Sequence, residues 1–133
     1  MAVGDYERVI REFCLEVGIP DWARVIATGH IEASGFVIGL LHDETAVPDV
    51  LFLYFDLGSS PSLQDCERLL QANTQLQAGP DAGYFGLHPE QGSVVFRVNI
   101  TLDSGLSGAD LAQAIERSRE SGIRRLKEAF EAH

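Results

Sequence analysis

The segment from Leu69 to Leu102 constrains the fold most, because it predicts a helix that leads directly into a β-hairpin. Its opening run, Leu-Leu-Gln-Ala-Asn, is read as the end of a helix. Pro89 presets the backbone of a tight turn, and Gly92 tolerates the exit from it. The segment contains no catalytic motif, so function has to be argued from surfaces. After the turn, apolar residues alternate with mostly polar neighbours, as a half-buried strand requires: Val94, Phe96, Val98, Ile100 and Leu102.

The part of the chain before this segment predicts one helix and three strands. A stripe of apolar residues at helical spacing predicts a first helix over residues 5–17. Trp22 is placed in the loop that follows it. The spacing of the β-rich segments suits an antiparallel meander, and their predicted ranges are residues 25–32, 36–42 and 50–57, with a polar loop over residues 43–49.

Two further helices are predicted. Ser62 and Asp65 have the spacing of a helix cap, which favours a middle helix over residues 62–76. Ser107 starts a final amphipathic helix. Its apolar stripe consists of Leu111, Ile115, Ile123, Leu126 and Phe130.

These elements predict an α+β fold: an antiparallel sheet of about five strands with three helices, in the order α-β-β-β-α-β-β-α. The chain is long enough for one domain, residues 1–133, whose core needs neither disulfide nor metal. Residues 36–41 and 50–55 are apolar on both faces of their strands, whereas an antiparallel sheet normally leaves one face to water. The candidates for covering the second face are a helix on each face, a second subunit or a bound polypeptide, and these can combine.

The charge of the chain narrows the range of partners. With 20 acidic and 10 basic residues the formal net charge is −10, which makes nucleic acid and membrane surfaces poor partners. Neither a secretory signal nor a membrane-spanning run follows Met1, so we expect a cytoplasmic protein. Cys14 and Cys66 lie in apolar periodic segments and are interpreted as small core residues in a reducing compartment.

The sequence carries no motif for a catalytic or metal site. The nucleophile elbow Gly-x-Ser-x-Gly, the phosphate loop Gly-x-x-x-x-Gly-Lys and the zinc motif His-Glu-x-x-His do not occur in it. The run from His42 to Glu44 ends a predicted strand and is interpreted as a solvated turn. We therefore expect no catalytic residues, no metal, no cofactor and no small-molecule substrate.

The chain resembles the Tir chaperone (CesT) family of type III secretion chaperones. The resemblance lies in the order of the elements, in a strand end with a Ser-Pro break at residues 55–61, and in the helix end at residues 69–73. It continues through strands at residues 79–87 and 92–102 and a closing amphipathic helix. It covers nearly the whole chain.

The resemblance implies a homodimer in which the middle helix forms much of the contact between protomers. The apolar surface on that helix and on both sheet faces also exceeds what three helices cover, which favours a two-fold dimer. The residues predicted to lie near the axis are Cys66, Leu69, Leu70 and Asn73.

The resemblance further implies a partner, namely a secreted virulence effector whose N-proximal segment is bound in extended form and kept competent for secretion. Apolar patches on the sheet and first helix would take alternate side chains of that segment, and an exposed strand edge would add main-chain hydrogen bonds. The alternative is a regulatory or sensory domain of similar fold that binds a small ligand or a regulatory protein. The predicted partner-binding residues are Val9, Phe13, Ile31, Phe36 and Ile38.

Overall fold

The computed structural model describes residues 2–33, 35–58, 60–74 and 83–131. These residues contain four helices and five strands. The predicted α+β class and antiparallel sheet of five strands are confirmed. In chain order the elements are α1 (Ala2–Val17), α2 (Trp22–Thr28), β1 (His30–Ala33), β2 (Phe36–Asp43), β3 (Val47–Asp56), α3 (Leu63–Asn73), β4 (Gly83–Leu87), β5 (Val94–Thr101) and α4 (Gly108–Glu131).

The short helix α2 replaces the first half of the strand predicted over residues 25–32. β-Branched residues in this segment favour a strand, but its ends decide the outcome. Asp21 Oδ1 accepts a hydrogen bond from the Arg24 N–H at 3.2 Å and caps the helix. Gly29, with φ 74°, ends it in the left-handed conformation. The predictions of three helices and of a strand from residue 25 are therefore wrong, and Trp22 begins a helix instead of lying in a loop.

Other element ends differ from the prediction as well. β3 begins at Val47 instead of residue 50, because Asp43 Oδ1 accepts the N–H groups of Thr45 and Ala46 and tightens the predicted loop into a turn. α3 ends at Asn73. The predicted extension to Leu76 is wrong at Thr74, which is the C-cap of α3, and its last two residues lie outside the described residues.

Neighbouring strands are antiparallel throughout, in the spatial order β1-β2-β3-β5-β4. The predicted meander of the first three strands and the predicted hairpin of the last two are confirmed. β5 lies between β3 and β4, with Phe96 opposite Phe55 on one side and Phe85 on the other. β1 and β4 therefore form the two edges of the sheet.

Helices α1 and α4 pack on one face of the sheet and bury it. The Tyr6 hydroxyl of α1 donates a hydrogen bond to the Leu40 carbonyl oxygen at 2.8 Å. Gly122 of α4 lies directly against the ring of Phe96. The strand residues that this face removes from solvent are Ile38, Leu40, Leu51, Leu53, Phe55, Phe96 and Val98.

The opposite face of the sheet is partly exposed and aromatic. The Arg97 guanidinium lies over the Phe52 ring, 4.4 Å from its centroid. The Tyr54 ring occupies the space above Gly39, where a Cβ would lie 1.8 Å from it. These side chains shield one another, so part of the cover that the apolar strands need comes from the sheet itself.

The crossing of α1 and α4 is closest at Gly108, the first residue of α4. A Cβ on this glycine would lie 2.3 Å from the backbone of Glu12 and Phe13, so only glycine permits the approach. Glu12 Oε1 accepts a hydrogen bond from the Gly108 N–H at 3.0 Å, which holds the pKa of this carboxyl below its ordinary value. The negative charge also interacts favourably with the N-terminus of α4, where Ser107 and Asp110 form a reciprocal cap.

We expect Gly108→Ala to lower the free energy of unfolding by about 1–3 kcal/mol, because the added methyl group forces two packed helices apart. Urea unfolding followed by circular dichroism measures the loss. Gly4→Ala is the matched control, since among the described residues no atom beyond the adjoining backbone of α1 lies within 4 Å of the added Cβ. This variant should leave stability unchanged or raise it slightly. Equal stability of the two variants would contradict the close crossing.

We also expect the folded state to lose stability in acid. Main-chain hydrogen bonds lower the pKa values of Glu12 and Asp110. Their contribution is therefore complete above about pH 5 and is lost as the pH falls through their folded-state pKa values. Urea midpoints measured from neutral to acidic pH test this. Glu12→Gln keeps an acceptor for Gly108 but removes the charge, so its midpoint should fall less steeply; an unchanged profile would argue against the role of Glu12.

Candidate functional site

An apolar groove of about 300 Å³ lies between the C-terminal end of α1, strand β1 and α4. We call it the edge groove. Three of the five predicted partner-binding residues meet there, on three different elements: Phe13, Ile31 and Ile38. The full lining consists of Phe13, Val17, Ile19, Ile31, Glu32, Ala33, Ile38, Ala112, Ile115, Glu116 and Arg119.

The edge groove has a buried floor and an accessible rim. Phe13 and Ile38 belong to the core and are 3% and 1% exposed, so they form a floor that a ligand touches without penetrating far. Val17, the last residue of α1, is 47% exposed and stands at the rim. A docked apolar group would therefore contact fixed core atoms below it and Val17 beside it.

The other two predicted residues are not brought to the groove. Val9 is fully buried inside the core, and Phe36 is half-buried at the start of β2, opposite Ala33. Sequence reasoning missed Val17 and Ile115. Val17 follows Phe13 by one helical turn, and that spacing could have identified it. The partner-binding role of the five residues stays a prediction.

The rim of the groove is polar on the α4 side. Arg119 donates a hydrogen bond to Glu116 Oε2 at 2.9 Å, and the exposed Glu32 of β1 lies at the opposite margin. The Nε of Arg119 is buried and has no hydrogen-bond partner among the described residues. The rim thus offers both a carboxylate and a guanidinium beside an apolar floor.

The outer side of β1 borders the groove, and no described strand pairs with it. Ile31 pairs with Ile38, and the Gly29 carbonyl oxygen accepts the Leu40 N–H at 2.7 Å. Because bonding residues alternate along an antiparallel strand, the main-chain groups of Glu32 point away from β2. An extended chain beside β1 would pair with them and bring alternate side chains over the groove.

A second apolar cavity, of about 350 Å³, lies between α3 and β4 at the other edge of the sheet. Leu70 is 66% exposed and Leu87 is 50% exposed, whereas Leu69 is buried beneath them. All four predicted dimer residues line this cavity, which we call the α3–β4 surface. Its lining consists of Cys66, Leu69, Leu70, Asn73, Phe85, Gly86 and Leu87.

Asn73 closes the main-chain edge of β4. Its Nδ2 donates to the Phe85 carbonyl oxygen at 3.0 Å, and its Oδ1 accepts from the Phe85 N–H at 2.7 Å. One side-chain amide thus replaces the two hydrogen bonds of a neighbouring strand. The two edges of the sheet therefore differ, since Asn73 caps Phe85 on β4, whereas no described strand pairs with the outward main-chain groups of Glu32 on β1.

His42 and the two cysteines are accounted for by packing and hydrogen bonding. The His42 ring stacks on Tyr6 with centroids 4.8 Å apart, and its Nε2 is hydrogen-bonded to the Pro48 carbonyl oxygen. Cys14 is buried, which raises the pKa of its thiol, and Cys66 is half-buried at the α3–β4 surface. Within the described ranges, no three His, Cys, Asp or Glu side chains come together in a way that could hold a metal ion. Of the helices described, none is long and apolar enough to span a membrane.

A family model described as the Tir chaperone protein (CesT) family matches residues 30–119, which confirms the resemblance found in the sequence. The Yersinia pestis type III secretion chaperone SycH, solved in complex with a stable fragment of YscM2, is similar with 14% identity and a TM-score of 0.59 over 90% of this chain and 98% of that chain. The ExoT–SpcS complex from Pseudomonas aeruginosa is similar with 16% identity and a TM-score of 0.59, over 90% and 96%. At these identities the likeness shows the fold alone. No curated protein sequence matches the chain.

We expect Asn73→Asp to destabilise the protein by about 1–3 kcal/mol, because the carboxylate cannot donate to the Phe85 carbonyl and leaves that acceptor unsatisfied. Thermal unfolding measures the change. Asn99→Asp is the matched control: it is the same substitution at an exposed position of β5, and it should have little effect. If both variants unfold at the same temperature, the Asn73 cap does not contribute to stability.

Proposed function

Because the chain belongs to the Tir chaperone protein (CesT) family, we propose that it is a non-enzymatic chaperone of the cytoplasm that binds the N-proximal segment of a secreted type III effector in extended form. In this state the segment stays unfolded and competent for secretion. The observation that carries the proposal is the position of the edge groove directly beside the free side of β1. The two solved relatives, both described as complexes, support the same reading.

The geometry favours an extended polypeptide as the ligand. A strand added beside β1 satisfies the outward main-chain groups of Glu32, and its side chains alternate between the groove and the opposite side. Affinity would then come from one or two apolar side chains resting on Phe13, Ile31 and Ile38. Such a site recognises the apolar side chains of the client and their spacing along the chain, and it does not require a folded client surface. This suits a client that must stay unfolded.

We further propose that a second copy of the chain covers the α3–β4 surface in a two-fold dimer. The proposal is supported by the exposure of Leu70 and Leu87 beside a cavity that is lined almost entirely by apolar atoms. Leu63, at the start of α3, is exposed like Leu70, so apolar side chains lie along the outer side of this helix. A two-fold axis would pair these side chains with the same side chains of the second copy. β1 and β4 are opposite edges of the sheet, so dimerisation and client binding would not compete.

Co-purification from the native cell followed by mass spectrometry tests the function. We expect a secreted protein to co-purify in an amount comparable with that of the chaperone. Limited proteolysis of the complex should leave the N-proximal segment of the secreted protein intact. Recovery of a regulatory protein or of a small ligand in place of a secreted protein would favour the alternative of a regulatory domain and overturn the proposal.

We expect Val17→Asp to weaken client binding at least tenfold, about 1.4 kcal/mol, because a charge at the rim of the edge groove must be desolvated when an apolar side chain docks. Titration with the co-purified client segment measures the affinity, and circular dichroism confirms folding. Leu15→Asp is the matched control, since Leu15 is 76% exposed near the same end of α1 but outside the groove. Equal affinities of the two variants would place the client elsewhere.

We expect Leu70→Asp to shift the chain from dimer to monomer, because two carboxylates would face an apolar cavity across the axis. Light scattering coupled to gel filtration at micromolar concentration measures the mass. Leu15→Asp again serves as the control with a similarly exposed leucine and should remain dimeric. A wild-type chain that stays monomeric at high concentration would refute the dimer.

A further inference from the structure

The side chain of Arg125 connects α4 to both elements of the α3–β4 surface. Arg125 is only 8% exposed. Its Nη1 donates a hydrogen bond to the Gly83 carbonyl oxygen at 2.8 Å, and its Nη2 donates to the Ala72 carbonyl oxygen at 3.1 Å. Gly83 is the first residue of β4 and Ala72 is the last but one of α3. A single guanidinium thus fixes the end of one element against the beginning of the other.

Two aromatic rings hold the same guanidinium from the side of the sheet. The Cζ of Arg125 lies 5.3 Å from the ring centroid of Phe85 and 5.4 Å from that of Phe96, and the two rings pack 5.2 Å apart. Phe85 also lines the α3–β4 surface and is the residue that Asn73 caps. The guanidinium therefore contacts the α3–β4 surface from its inner side, whereas the outer side of that surface faces away from α4.

Two glycines make this contact possible. A Cβ on Gly122, one turn before Arg125, would lie 2.7 Å from the Phe96 ring, so the glycine lets α4 approach the sheet. A Cβ on Gly83 would lie 2.6 Å from the Arg97 carbonyl oxygen and 2.7 Å from Phe96, so β4 begins pressed against β5. The approach of α4 and the start of β4 together place the donors of Arg125 within reach of their acceptors.

We propose that Arg125 is a positioning residue for self-association: by joining the end of α3 to the start of β4, it sets the relative placement of Leu70 and Leu87 and so determines how tightly two copies bind. The inference rests on the proposed dimer. A planar guanidinium suits this role because its two outer nitrogens donate in fixed, divergent directions. A lysine would supply a charge without that fork.

The test separates positioning from global stability. Arg125→Met removes both donors while keeping a long apolar stem, and Arg125→Lys keeps the charge. Leu111→Ala is the control, since Leu111 is fully buried in the first half of α4 and its loss destabilises the fold away from α3 and β4. A mainly folded protein dimerises with unchanged affinity even when its unfolding temperature is lower, so the dimer constant does not respond to general destabilisation.

We expect Arg125→Met to weaken the dimer at least tenfold in sedimentation equilibrium, with Arg125→Lys intermediate, while Leu111→Ala lowers the unfolding temperature and changes the dimer constant less than twofold. Hydrogen exchange should become faster at the Phe85 amide and in the last turn of α3, and stay unchanged in β1 and β2.

A wild-type dimer constant in Arg125→Met overturns the proposal and leaves the chaperone function untouched. If Arg125→Met does not fold, the lysine variant decides, and a dimer constant equal to that of Leu111→Ala overturns the proposal. If the wild-type chain itself is monomeric, the proposed dimer fails, and with it the role of Arg125 in self-association. The exchange rate of the Phe85 amide then shows whether Arg125 positions α3 and β4 at all.

Discussion

Where α1 and α4 cross, the missing side chain of Gly108 lets the two backbones touch, and both helices thereby share one face of the sheet. From this crossing α4 runs from the edge groove to the α3–β4 surface. Its first turns line the edge groove with Ala112 and Ile115, and its later turns reach Phe96 and then, through Arg125, the α3–β4 surface. One helix thus connects the two surfaces on which the proposed function depends. A displacement of α4 at the crossing would therefore change the geometry of both surfaces.

The positions of strands could be predicted from the sequence where one face of the strand is buried and the other faces solvent. In β5, Phe96 and Val98 alternate with residues of the opposite face, and a slip of one position would turn them towards solvent. α2 was not predictable from the same rule, because its short apolar run fits a strand as well as a helix. Its conformation depends on the Asp21 cap and on the left-handed Gly29, which are single residues at the ends and not a periodic pattern.

The two surfaces differ in how far the sequence could reveal them. Cys66, Leu69, Leu70 and Asn73 have the spacing of one helix face, so periodicity alone brings them together at one cavity. The edge groove draws on four elements, namely α1, β1, β2 and α4. Nothing in the pattern of α1 shows that Phe13 reaches it while Val9, one turn earlier, is enclosed by the core. The link that Arg125 makes between α3 and β4 left no signal, because both acceptors of that link are main-chain carbonyl groups, which every residue carries.

The unequal edges of the sheet bear on how such a chain behaves at high concentration. A protein with an open strand edge can also pair with further copies of itself. A fibre grows only if every added copy presents another open edge to the next copy. Here the amide of Asn73 already occupies the main-chain groups of Phe85 on β4, so among the described strands the outer side of β1 is the edge that stays open to a further strand. Growth from edge to edge therefore stops after one addition. On the proposed function, the chain would hold an unfolded client without becoming a template for its own polymerisation.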